Sequence, residues 1–180
     1  DRRVAGDSEG CEGGEPLLWR DGPYRFHDLV SYARRRFLRV AVTTNGTLPL
    51  DVPAHSIWVS LDGMKEVQDA LRGDSFDRVY NNIKTTRHPR VFIHCTLNRK
   101  NWQDIEPLAK WVRDMPNVKG MTVQFFYPYN QGEDNLALSP NERHAAIEKL
   151  LDLKKRGYPI LNSAGRLRAM KDKIGYPRFL

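Results

Sequence analysis

The spacing of apolar positions changes period repeatedly along this chain. Phe26, Leu29, Val30, Ala33 and Phe37 recur at helical spacing and predict a helix over 25–37. Leu38-Arg39-Val40-Ala41-Val42-Thr43 is a short β-rich run that stops at Thr44-Asn45-Gly46, a turn signal. Ile57-Trp58-Val59-Ser60-Leu61 predicts a second strand, closed by Asp62-Gly63. Helical period returns over 75–87 with Phe76, Val79, Tyr80 and Ile83. His88-Pro89 ends that helix, because the residue before a proline disfavours helical backbone.

The second half repeats the scheme. Residues 91–97 predict a third strand. A helix follows with Ile105, Leu108, Ala109, Val112 and Met115 on one face, Asp104 as its N-cap and Pro107 in its tolerant first turn. Residues 121–127 predict a fourth strand. Ser139-Pro140-Asn141-Glu142 is a capping-box pattern opening a helix that Gly157 closes. Residues 158–180 read as an irregular tail or the start of an added segment, which divides the chain into 1–157 and 158–180. A strand within residues 3–12 is also expected, on the poorest β signal of the set.

Strands alternating with helices predict an α/β fold with a parallel sheet and outer helices. Ligands of such sheets bind beyond the carboxyl ends of the strands. The polar motifs of this chain fall there: Thr44-Asn45-Gly46, Ser60-Leu61-Asp62-Gly63, Asn98-Arg99 and Tyr127-Pro128-Tyr129 each follow a strand.

Composition narrows the classes. A chain of 180 residues with 40% apolar and 28% charged residues suits one folded domain. No run reaches the ~18–20 apolar residues of a membrane span. The opening residues lack the apolar stretch of a signal peptide, so a cytoplasmic location is expected. The net charge of +7 suits an anionic partner. Yet Arg34-Arg35-Arg36 and Lys154-Lys155-Arg156 stand at predicted helix ends, where cations also suit the helix dipole. Aromatics do not recur among the basic residues, which argues against nucleic acid. Two cysteines, Cys11 and Cys95, cannot build a disulfide framework or a four-thiolate site. The five histidines are scattered without metal spacing, and no phosphate-binding glycine loop or nucleophile elbow is present.

Gly13-Gly14-Glu15-Pro16 allows close backbone approach to a ligand and supplies a carboxylate for an ammonium group, although an ordinary Gly-Gly turn reads the same way. Together with Thr-Thr-Asn-Gly, Val-Ser-Leu-Asp-Gly and Leu71-Arg72-Gly73-Asp74-Ser75-Phe76-Asp77, the sequence resembles the radical S-adenosylmethionine (SAM) superfamily over about residues 13–130. The resemblance implies a partial (βα) barrel. It implies SAM contacts from Gly13, Gly14, Glu15 and Pro16 to the methionine amino group, with Thr44 near the methionine or ribose. Ser60 would meet the ribose or carboxylate, with Asp62 close by, Asn98 as a further polar contact, and Tyr127 against the adenine. A [4Fe-4S] cluster would reduce SAM to a 5′-deoxyadenosyl radical, fed by an electron donor such as flavodoxin or ferredoxin. Phe125, Phe126, Tyr127 and Tyr129 would suit an apolar or ring-bearing substrate, or simply the core.

The family's Cys-x-x-x-Cys-x-x-Cys motif, however, is not in these residues. The expectation is therefore a radical SAM enzyme core whose cluster ligands lie in an upstream segment, inactive by itself. The alternative is a cluster-free α/β binding or scaffold module for an anionic or nucleic-acid partner.

Overall fold

The computed structural model describes residues 14–128 and 134–171. Gly13, Cys11, Tyr129 and the strand expected in 3–12 lie outside the described residues. A 3-10 turn (Pro16–Leu18) and a two-residue antiparallel hairpin, β1 (Arg20–Asp21) and β2 (Tyr24–Arg25), lead into α1 (Phe26–Arg34). Then follow β3 (Ala41–Thr44), β4 (Ser56–Ser60), α2 (Lys65–Arg72), α3 (Phe76–Thr85) and β5 (Val91–Leu97). The chain continues through α4 (Ile105–Asp114), β6 (Val118–Phe125), α5 (Pro140–Lys155) and α6 (Ala164–Ala169). Strands β3-β4-β5-β6 form a four-stranded parallel sheet in chain order, the arrangement of a partial (βα) barrel.

The two faces of the sheet differ. Ile57, Val59, Val91, Ile93, Cys95 and Leu97 point into the buried core, where α3 and α4 contribute Val79, Ile83, Leu108 and Val112. The alternate positions Ser56, Trp58, Ser60, Phe92, His94 and Thr96 are only half-buried. Parallel sheets are ordinarily covered on both faces. Here one face is only partly covered by the described residues, and on it Trp58 and Phe92 stack with ring centroids 4.7 Å apart.

Four expectations are corrected. The helix from residue 25 closes at Arg34 and not at 37: Arg35 and Arg36 donate to the Tyr32 and Ala33 carbonyls in a tightened last turn, and Phe37 is left exposed. The strand starts at Ala41, not Leu38, because the Val40 N–H is taken by the His55 ring. Asp104 stands at the N-cap position of α4 but makes no cap bond; its carboxylate reaches back to the Met64 N–H. The part of the tail within 158–171 is ordered by the sheet. Met121 N–H donates to Pro159 O and Leu161 N–H to Met121 O, forming a parallel bridge at Ile160. Asn162 adds a side-chain pair of bonds to Val123, accepting at 2.8 Å and donating at 2.9 Å. Ile160 and Leu167 then join the main core.

Candidate functional site

The carboxyl edge of the sheet gathers Glu15, Thr44, Ser60, Asp62 and Asn98 within or just beyond β3, β4 and β5. Glu15 is fixed before any ligand enters. Its carboxylate accepts from Thr44 Oγ1 at 2.6 Å, Asn45 N–H at 2.7 Å and Leu17 N–H at 3.0 Å. An ionised carboxylate has about four acceptor sites, so one remains for an ammonium group. Thr44 in turn accepts from the Gly46 N–H, and Asn45 Oδ1 accepts from Thr47. Gly46 has φ +76°, and a Cβ there would lie 2.6 Å from Val59. Only glycine turns the chain this tightly over β4. Gly14 is described and open; Pro16 starts the 3-10 turn that Glu15 caps.

Asp62 is buried, and each of its carboxylate oxygens accepts a bond from its own chain. Oδ1 accepts from Thr96 N–H at 2.8 Å, and Oδ2 from Arg72 Nε at 2.7 Å. It therefore clamps the end of β4 to β5 and α2. Sequence reading missed the residues that complete this clamp. Gln68, fully buried, accepts from the Asp62 N–H. Asn101 accepts from Asn98 N–H and donates to the Asp62 and Thr96 carbonyls, each at 2.9 Å. Arg72 had a motif to flag it, whereas Gln68 and Asn101 had no spacing signal.

Two polar groups of this rim have no hydrogen-bond partner among the described residues. The half-buried Ser60 hydroxyl makes no hydrogen bond, and the Asn98 amide uses its oxygen for Lys100 N–H while its Nδ2 donates to nothing. Neither atom is sealed from solvent, since no buried side-chain nitrogen or oxygen among the described residues lacks a partner. Donors left open at the carboxyl edge of a parallel sheet fit a polar ligand with carboxylate or hydroxyl groups, which is the chemistry of the methionine and ribose parts of SAM. Tyr127 lies two residues beyond the end of β6 and is 43% exposed. Phe125 is not a ligand-facing ring: it is buried, with the Arg143 guanidinium 4.3 Å over it.

An iron–sulfur cluster does not fit the same residues. No group of three or more His, Cys, Asp or Glu side chains among the described residues could hold a metal ion. Cys95 is wholly buried on the helix-covered face, and burial pushes its thiol pKa well up, opposite to what a thiolate ligand needs. His55 and His88 are spent on backbone bonds to Val40 and Ala54.

No family model matches the chain. Among curated proteins it is similar to an Fe-coproporphyrin III synthase of Methanosarcina barkeri, with 28% identity over 167 residues, covering 82% of this chain and 40% of the relative. It is also similar to the antilisterial bacteriocin subtilosin biosynthesis protein AlbA of Bacillus subtilis, with 27% identity over 122 residues, covering 60% of this chain and 27% of the relative. The chain thus spans less than half the length of these curated relatives. Two solved structures of anSMEcpe share the fold. One, with bound AdoMet and the Cp18Cys peptide, has a TM-score of 0.58 at 18% identity, covering 75% of this chain and 45% of the other. The second, with bound AdoMet, has a TM-score of 0.57 at 19% identity, covering 83% and 46%. The two curated relatives support the resemblance to the radical SAM superfamily, and the two solved structures support the fold. Among the described residues no helix is long and apolar enough to cross a membrane.

Proposed function

We propose that this chain is the SAM-binding part of a radical SAM enzyme, with SAM seated on the carboxyl edge of β3, β4 and β5. The observation that carries the reading is the pair of unpaired donors, Ser60 Oγ and Asn98 Nδ2, on a rim already fastened by Glu15 and Asp62. Bound SAM would supply radical-initiation chemistry, and the reducing cluster would be held by residues outside this chain. What these residues do is bind and orient. Glu15 fixes the Thr44–Gly46 turn and offers its last acceptor site to the methionine ammonium. Ser60 and Asn98 donate to carboxylate or ribose oxygens. Asp62, through Thr96 and Arg72, keeps the β4 and β5 ends at constant spacing. The bound AdoMet in the anSMEcpe structures supports the ligand class.

The substrate reading is an apolar or ring-bearing molecule. The half-buried sheet face supports it, since the Trp58–Phe92 stack offers a flat apolar surface below that rim. An electron donor such as flavodoxin or ferredoxin belongs to the same proposal. The test is SAM affinity by equilibrium dialysis on the intact protein, purified without air. Ser60→Ala and Asn98→Ala are each expected to weaken SAM by about tenfold, the cost of one good polar contact; Ser60→Ala should keep the parent melting temperature, whereas Asn98→Ala, which also loses the Lys100 N–H bond, should lower it. Parent-like affinity in both variants would contradict this seat.

A further inference from the structure

The opposite, amino edge of the sheet carries a feature that radical chemistry does not use. After α1 ends, residues 35–39 run outward before β3. Leu38 is 93% exposed and Phe37 63%, and Leu38 is the most exposed large hydrophobic side chain among the described residues. Around this tip stand Arg34, Arg35, Arg36 and Arg39, all exposed. The edge continues in the same sign. Arg34 Nη1 donates to Pro53 O at 2.9 Å, His88 Nε2 lies 3.1 Å from Ala54 O, and Arg90 O accepts from Ile57 N–H. These bonds bring Arg87 and Arg90, both exposed, to the same rim. None of the six arginines pairs with a carboxylate among the described residues, whereas ion pairs elsewhere link Arg72, Arg99, Arg113 and Arg156 to acids. Asp51 is the one acid in residues 34–55 and 84–91.

We propose that this edge docks the protein on an anionic lipid surface, with Phe37 and Leu38 entering the headgroup layer and the arginines binding lipid phosphates. Six unneutralised guanidiniums complement a negative leaflet, and each can grip phosphate with two parallel bonds. A bilayer accepts a projecting apolar tip without a matching pocket, and burying it adds to the electrostatic attraction. Nucleic acid would satisfy the arginines but leave Leu38 in water, since an aliphatic side chain offers no ring for base stacking. Docking by this edge also turns the carboxyl edge, with its open donors, away from the bilayer. The inference stands on the amino edge alone and does not depend on the SAM reading.

Flotation of the intact protein with phosphatidylcholine vesicles, with and without about one-third phosphatidylglycerol, tests it. Binding to the anionic vesicles is expected to be at least ~tenfold tighter than to neutral ones and to fall as salt rises. Leu38→Ser with Phe37→Ser is expected to abolish flotation, and Arg35→Gln with Arg36→Gln to weaken it, both with parent-like circular dichroism. As a second readout, Phe37→Trp fluorescence is expected to shift to the blue on anionic vesicles only. Equal binding to both vesicle types, no binding to either, or serine variants that float like the parent would overturn the proposal. So would retention of an acidic protein or an RNA oligonucleotide at salt that already strips the vesicles.

Discussion

Single residues decide whether the edge of the sheet can hold a ligand. Gly46 is the clearest case: its positive φ and the 2.6 Å approach to Val59 leave no place for a side chain. Gly46→Ala is expected to destabilise the protein by about 1–3 kcal/mol, from strain and overpacking combined; urea unfolding measures it, and a parent-like midpoint would remove the close-approach account. Glu15 acts differently. With three acceptor sites committed to Thr44, Asn45 and Leu17, it positions the turn as much as it meets a ligand. Glu15→Gln places an amide N–H2 against either Thr44 or Asn45, and the account expects both a lower melting temperature and SAM affinity weaker by about tenfold. A lowered melting temperature with unchanged affinity would confine Glu15 to a structural role. Both positions were legible as motif residues, but their division of labour was not, because partners 29 and 30 residues away leave no local pattern.

At the scale of elements, legibility followed the apolar signal. The runs at 57–61 and 91–97 and the periodic stretches at 76–83 and 105–112 became strands and helices of the core. α2 left no such trace: Gln68 is its one buried residue, and its remaining positions are mostly charged or polar. That helix nevertheless organises the rim through Arg72, Gln68 and Asp69. The Asp69 carboxylate accepts from the Ser75 and Phe76 N–H groups at 2.9 and 2.8 Å, capping α3 from the preceding helix. The Phe76 and Ser75 backbone bonds, with Lys65 beside them, hold its pKa below the usual carboxylate value. A lowered folded-state pKa contributes stability that is present above the unfolded pKa and is lost as pH falls through the folded one. Asp69→Asn is therefore expected to melt lower than the parent at neutral pH. The gap should narrow as pH drops below the unfolded carboxylate value of about 4 and close as pH passes the lower folded-state one. A gap that is constant with pH would remove the cap from the account. The segment after 157 was misread for a related reason: Asn162 pairs with β6 through its side chain, in a stretch with no β-like run.

For the whole molecule, the parallel sheet separates two surfaces. Its carboxyl edge is polar, tightly bonded and open at Ser60 and Asn98; its amino edge is basic around an apolar tip. The strand-end rule puts the candidate residues on one edge from the sequence alone. It could not reveal that Asp62 would bond Arg72 and Thr96, since that depends on helix α2 folding over the edge. Nor could the sequence reveal that one sheet face is only half-buried among the described residues, because burial of a face depends on what packs against it. The most direct measurement of the central claim is a crystal structure of the intact protein, grown without air in the presence of SAM. The account predicts the methionine and ribose groups within hydrogen-bond distance of Ser60 Oγ and Asn98 Nδ2, with the Glu15 bonds to Thr44 and Asn45 retained. SAM bound elsewhere, with Ser60 and Asn98 still unpaired, would contradict it.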